Sequence, residues 1–392
     1  MRARVLAVAA LLVAFGVRAP AQSPRQTPAQ QPQGQAQPPV RQQPPVIKSG
    51  VNFVSVDVIV TDKKTGNIVL DLKPSDFDVK EDKQPQKIQT FDVVRIDPST
   101  QPTEPPKPIR NDYDEQTEAK RADVRLFVIL LDDYHVRRGN DLAVRGPLIN
   151  FLQNMLAPQD MVAIMYPLTP VADLSFSRNR EAQVDAINHF IGRKNDYTPR
   201  NEFEEQYADY PTATVEEIRN EVTMDALRGA GLKLGSLREG RKSIIFVSEG
   251  FISSLPPQLS NPIATMPGVG NPSQPGQDAP PDPRADAQKF FNSVDLTMEM
   301  KQVFDTLNRN NTSLYAVDPR GLAATEYGIE QGVSAASDRA SLNESLDSLR
   351  VLADNSDGRA IVNRNDLASG MKQIIRDSSG YYLLGYTSSS AP

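Results

Sequence analysis

The sequence predicts an α/β fold: a doubly wound, mostly parallel sheet with one antiparallel hairpin strand, preceded by a small β module. Three observations lead there. From Arg125 onward, short apolar runs alternate with helix-period segments, as strands buried on both faces alternate with their covering helices. Ahead of that region, residues 53–60 alternate at period two, the signature of a half-buried strand. Proline falls mainly in three clusters that punctuate the chain.

Composition narrows the chemistry. The chain has 392 residues, a formal charge of −6, 32 Pro, two His, no Cys and no Trp. Without Cys, disulfide scaffolds, thiolate metal sites and Cys nucleophiles are excluded. His135 and His189 belong to no HExxH pattern, and an acidic chain lacks the basic face that nucleic-acid binding wants. Any chemistry must rest on carboxylates and hydroxyls.

Taken in order, the chain opens with Arg2 and Arg4 before an apolar run over residues 5–17, closed by Ala19-Pro20-Ala21. This reads as a cleavable secretory signal over residues 1–21, too short to span a bilayer. It places the mature chain in the periplasm or outside the cell, with no transmembrane span. Residues 22–46 hold seven Pro and nine Gln and read as a disordered linker, with too little apolar surface to offset ordering entropy.

Residues 47–97 form the small β module, with strands expected at 53–60, 68–72, 77–80 and 87–96, and Pro74 and Pro85 confined to turns or edges. A Pro cluster at 98–108 opens a second linker, 98–122. The α/β domain then covers residues 123–390. Its first strand is the apolar run 126–131. A helix follows, capped by Asn140 or Asp141, with Val144, Leu148, Phe151, Leu152 and Met155 inward. Residues 161–166 and 171–176, joined through Pro167 and Pro170, predict the antiparallel hairpin. Helices at 180–191 and 214–237 flank a polar stretch, 192–212, that shows no clear element. The strand 243–247 precedes a Pro-rich loop insertion, 256–286. Beyond it come a helix around Leu296–Leu307, a strand at 313–317, a helix at 341–353, a strand at 360–362, a helix at 366–377 and a last strand at 381–386.

Several catalytic signals fail on context. Gly235-Ser236-Leu237-Arg238-Glu239-Gly240-Arg241-Lys242-Ser243 is one residue too long for a phosphate loop and precedes a strand instead of a helix. Ser369-Gly370-Met371-Lys372 matches Ser-x-x-Lys without the accompanying elements of penicillin-binding enzymes. His189, four residues after Asp185, reads as half of a solvated pair. The informative positions are strand ends, because open α/β sheets bind ligands beyond the carboxyl ends of their strands. Asp132 and Asp133 follow the first strand, and Ser248-Glu249-Gly250 follows the strand 243–247. If the two strands are neighbours, Asp132, Asp133 and Glu249 converge into a hard-oxygen set suited to Mg²⁺ or another divalent cation.

This layout resembles the von Willebrand factor A domain: an apolar first strand ending in Asp, a hairpin strand, and a strand ending in a hydroxyl–acid–Gly turn. The β module, with Val56-Asp57-Val58-Ile59-Val60-Thr61-Asp62 and Leu72-Lys73-Pro74-Ser75-Asp76-Phe77, is similar to that of the secreted VWFA-related proteins of Acidobacteria, as is Tyr381-Tyr382-Leu383-Leu384-Gly385-Tyr386. The resemblance implies a metal-ion-dependent adhesion site beginning Asp-x-Ser-x-Ser. Here Asp132 fits, but Tyr134 and Val136 stand at both serine positions. It further implies a middle Thr, for which Thr212 and Thr214 are the candidates. The expectation is a non-enzymatic, envelope-associated or secreted module that binds an extracytoplasmic protein, with a degenerate cation site at Asp132, Asp133 and Glu249. Two alternatives stand beside it: a Mg²⁺-dependent hydrolase or phosphoryl-transfer enzyme using the same acids, and an inert structural component of the envelope.

Overall fold

The computed structural model describes residues 53–65, 67–96, 104–260 and 283–388. The expected signal (1–21), the Gln/Pro linker (22–46) and residues 261–282 of the Pro-rich loop lie outside them.

The strand β1 (Phe53–Val58) is followed by β2 (Val79–Glu81) and β3 (Gln84–Gln86), a small antiparallel pair, and by β4 (Ile88–Arg95). The segment 98–122, expected to be linker, instead carries the helix α1 (Asp112–Ala119), capped by the Asn111 side chain. Its sequence is polar on most sides, which hid it. It is held by the buried carboxylates of Glu115, which accepts from the Phe176 amide and Lys233, and Glu118, which accepts from Arg121 and Arg178.

Then come β5 (Leu126–Leu131), α2 (Asn140–Asn150) with one π turn after it, β6 (Met161–Met165), α3 (Arg180–Asn188), the short α4 (Glu202–Glu205) and α5 (Thr212–Leu237). The cap of α2 is Gly139, at φ 102°, and not Asn140 or Asp141. The chain continues through β7 (Lys242–Val247), α6 (Pro257–Ser260), α7 (Pro283–Arg309), β8 (Thr312–Val317), α8 (Ala335–Asp354), β9 (Arg359–Ile361), α9 (Leu367–Asp377) and β10 (Gly380–Thr387).

Five parallel strands form the central sheet in the order β6-β5-β7-β8-β9. Alternate residues of β5 serve two cores, because successive side chains of a strand point to opposite faces. Leu126, Val128 and Leu130 pack with Leu227 and Leu234 of α5, Val303 and Leu307 of α7 and Leu352 of α8. Phe127, Ile129 and Leu131 pack with Val144 and Leu148 of α2, Ile187 of α3 and Ile374 of α9. The molecule is thus α/β, with a parallel sheet covered on both faces and small antiparallel sheets beside it.

Two expected strands are placed differently. The hairpin does not form. Residues 171–173 make a single 3₁₀ turn packed on α5, and the return to β6 is reduced to one antiparallel bridge, Val162 with Ser177. The last strand also leaves the α/β sheet. β10 lies between β1 and β4, antiparallel to both, so the β module is completed from the far end of the chain. Tyr382 of β10 packs its ring against Phe77 and Phe91, and its hydroxyl donates to the Val69 carbonyl at 2.9 Å and accepts from the Leu72 amide at 3.0 Å. Among the described residues no helix is long and apolar enough to cross a membrane.

Candidate functional site

The carboxyl ends of β5, β7 and β8 carry the acids. Parallel pairing of β5 with β7 brings Asp132 and Glu249 into adjacent turns, stitched by the Glu249 amide donating to the His135 carbonyl at 3.1 Å. The turn at Gly250 requires glycine: its φ is 85°, and a Cβ there would meet the Ser345 carbonyl oxygen at 2.0 Å.

The Asp132 carboxylate is buried and fully engaged. It accepts from Ser248 Oγ at 2.7 Å and faces His135 Nδ1 at 2.9 Å, while His135 Nε2 faces Asn220 Oδ1 at 2.9 Å. The Asn220 amide nitrogen donates to the Ile252 carbonyl at 3.3 Å, which orients its oxygen toward the imidazole. Ser, His and Asp therefore meet, but in the wrong order for nucleophilic catalysis. The aspartate sits between hydroxyl and imidazole, and neither ring nitrogen is open to take a proton from Ser248.

The remaining acids are held by cations of the chain itself. Arg193 Nε donates to Asp133 Oδ2 at 2.6 Å, and its other nitrogens reach both oxygens of Glu204. Lys194 Nζ lies between Glu249, at 3.4 Å, and Glu326. Arg320 joins Glu326, at 2.5 Å, to Asp318, at 2.9 Å. The Asn140 side-chain amide and the Arg137 backbone amide complete the shell of Glu249 at 2.7 and 2.8 Å.

The electrostatics follow from these contacts. Burial pushes the Glu249 carboxyl up, but Lys194, Arg320 and the two hydrogen bonds together hold it below the usual range. For Asp133 and Asp318 burial prevails over Arg193 and Arg320 respectively, and both stay raised. Glu204, which burial alone would raise, is brought down to about 2 by Arg193, the Arg200 amide and the Tyr134 hydroxyl.

The two residues at the expected serine positions have structural work. Tyr134 donates to Glu204 at 3.0 Å and lies under the guanidinium groups of Arg193 and Arg219, at 4.5 and 4.8 Å from its ring centre. Val136 is buried in the core beside Val144. Gly192 makes the approach of the basic pair possible. A Cβ there would meet the Val136 carbonyl oxygen at 2.3 Å, and the amides of Arg193 and Lys194 donate to the Asp133 and Val136 carbonyls at 2.8 and 3.0 Å.

Of the residues singled out in the sequence, Asp132 and Glu249 come together, and Asp133 turns to Arg193. Thr212 does not join them: its hydroxyl donates to the Leu259 carbonyl at 2.7 Å. Thr214 lines a groove between α5 and α7. Among the described residues, no group of three or more His, Cys, Asp or Glu is arranged to hold a metal ion. The residues present do not fit a divalent cation, because ammonium and guanidinium groups lie where it would need open carboxylate oxygens. Sequence reasoning missed Lys194, Arg193, Arg320, Asp318 and Glu326. Asp318-Pro319-Arg320 directly follows the apolar run of β8 and could have been found by the strand-end rule that found Glu249.

No protein-family model matches the chain, and no curated protein matches it either. Among solved structures it is similar to the human COPII-coat protein Sec24c, at 11% identity and a TM-score of 0.29, covering 68% of this chain and 39% of that one. The chain thus spans well under half of that protein's length, and a likeness this loose settles neither fold family nor function.

Proposed function

We propose that this chain is a non-enzymatic, extracytoplasmic protein-binding module of von Willebrand A-like layout that works without a metal ion. The observation that carries the reading is Lys194, whose ammonium group is buried between Glu249 and Glu326 where a cation-dependent site would hold its ion. The family reading is supported by Asp132 at the end of β5 and by Ser248-Glu249-Gly250 at the end of β7. The extracytoplasmic reading rests on residues 1–21 of the sequence. The order Ser248–Asp132–His135 and the full engagement of every strand-end carboxylate favour a binder over a hydrolase or phosphoryl-transfer enzyme.

Calorimetric titration of the purified mature chain with Mg²⁺, Mn²⁺ and Ca²⁺ tests this reading. No saturable heat is expected at millimolar metal. An envelope protein retained on the immobilised chain should stay bound in EDTA and elute as salt rises. Saturable metal heat at the strand-end acids, or release by EDTA, would overturn the reading. Lys194→Met, which leaves two buried carboxylates without their shared cation, should lower stability by about 3–5 kcal/mol in urea unfolding.

A further inference from the structure

A groove runs between α5 and α7, past the residues that follow β7, to α8. One end, about 340 Å³, is lined by Glu217 and Glu221 of α5 and by Asp295 and Glu299 of α7. Each pair is spaced four residues apart, so both carboxylates of a pair share one helix face. Among the described residues no Lys or Arg lines this end, and the carboxylates of Glu221, Asp295 and Glu299 make neither a hydrogen bond nor an ion pair. Glu299 shows the resulting tension: burial and the charges of Glu221 and Asp295 hold its carboxyl above the usual range despite Arg228.

A separate observation points to a ligand at the same place. Ser253, 5% exposed, is one of the residues lining the groove, and its buried hydroxyl has no hydrogen-bond partner. A buried hydroxyl left unpaired is unfavourable, and an occupant with a donor or acceptor supplies the partner. The other end, about 570 Å³, adds Ile252, Leu255, Pro256 and Ala340 beside the acids, together with Asp286 and Lys289 of α7.

We infer that this groove is the recognition site for an extended segment of a partner protein in which Lys or Arg is followed by apolar residues. The basic head would lie among Glu217, Glu221, Asp295 and Glu299, and the apolar side chains against Ile252 and Leu255. A bare metal ion does not suit the site, since the acids are not grouped as ligands. A lysine does: it brings three donors on a long aliphatic stem that tolerates the open spacing. Asn220 reaches both sites, lining the groove and facing His135 Nε2 at 2.9 Å, so an occupied groove adjoins the Asp132 network directly. This inference rests on the protein-binding reading and names the chemistry of its partner.

The test is fluorescence anisotropy of the full mature chain with labelled acetyl-Lys-Lys-Leu-Leu-amide and its Glu-Glu-Leu-Leu counterpart, at physiological salt. The basic peptide should bind saturably and the acidic one not at all. Glu221→Gln with Glu299→Gln should weaken binding roughly tenfold, the worth of two partly exposed charge pairs. Glu205→Gln with Glu330→Gln changes net charge equally on exposed positions off the groove and should leave binding within about twofold. Absence of peptide binding, equal weakening in both pairs, or saturable binding of spermine or Mg²⁺ with none of the peptide would each overturn the assignment. Failure of the peptide without metal heat removes the groove assignment alone. Metal heat that survives in the groove variant arises elsewhere and counts against the metal-free reading instead.

Discussion

Arg193 holds two carboxylates on different elements, Asp133 after β5 and Glu204 in α4, while its guanidinium covers the ring of Tyr134. The effect is clearest at Glu204, whose carboxyl falls from 4.5 to about 2 on folding. A folded value below the unfolded one means the charged form is favoured by the fold. The contribution is complete above about 4.5 and lost as pH falls through about 2. Its size is roughly 3 kcal/mol. Glu204→Gln should therefore destabilise at pH 7 by about that amount, and the deficit relative to wild type should shrink on acidification through this window. Urea unfolding at a series of pH values measures it, and a pH-independent deficit would refute the assignment. A second test at this scale concerns Gly192, where a methyl group would collide with the Val136 carbonyl group, its oxygen at 2.3 Å, as well as with the Val136 side chain. Gly192→Ala should part Arg193 and Lys194 from the Asp133–Val136 turn and lower the melting temperature by several degrees, on the order of 2 kcal/mol.

Among the elements, α1 is attached through two buried carboxylates, Glu115 and Glu118. Glu118 accepts from Arg121 at 3.2 Å, from Arg178 at 2.9 Å and from the Lys107 amide at 3.3 Å. Glu118→Ala should cost about 2 kcal/mol, because two half-buried arginines each lose one acceptor and the Lys107 amide loses its own. A change under about 0.5 kcal/mol would show that packing of Ala119 holds the helix instead. This helix also marks a limit of the sequence. Leu126–Leu131 is legible as a central strand because a strand buried on both faces must be apolar throughout. Asp112–Ala119 is not, since its anchor is charge pairing with residues far along the chain, which leaves no hydrophobic period. Val171–Phe176 misleads for another reason: Pro170 removes a ladder donor, and residues 171–173 turn onto α5, with Val171 left exposed, instead of pairing back to β6. At the site, Asp132 and Glu249 are legible because each follows an apolar run. Lys194 is not, because it lies in a polar stretch and its partners are set by tertiary folding.

At the scale of the whole molecule, the two ends of the described chain are one structure. β10 is the middle strand of the sheet β1-β10-β4, and its Tyr382 anchors both the aromatic cluster and the segment around Val69. An apolar strand sequence does not announce which sheet it will enter, so this closure is invisible in residues 381–386 alone. A chain ending at Ser379 should keep the parallel sheet and lose the small one. Amides of 53–58 and 88–95 should then exchange rapidly while those of β5 and β7 stay protected. Retained protection in β4 would mean that it is held by something other than β10.

The order of synthesis gives that central strand a further meaning. β1 and β4 leave the ribosome early, yet neither pairs with the other, and their shared partner arrives only after every helix from α1 to α9 has been made. Until then both strands present open edges, and the module that comes first in the chain is among the last to be completed. Closure of that sheet is therefore set by how much of the chain has been made, and not by the strand-forming tendency of β1 or β4 themselves.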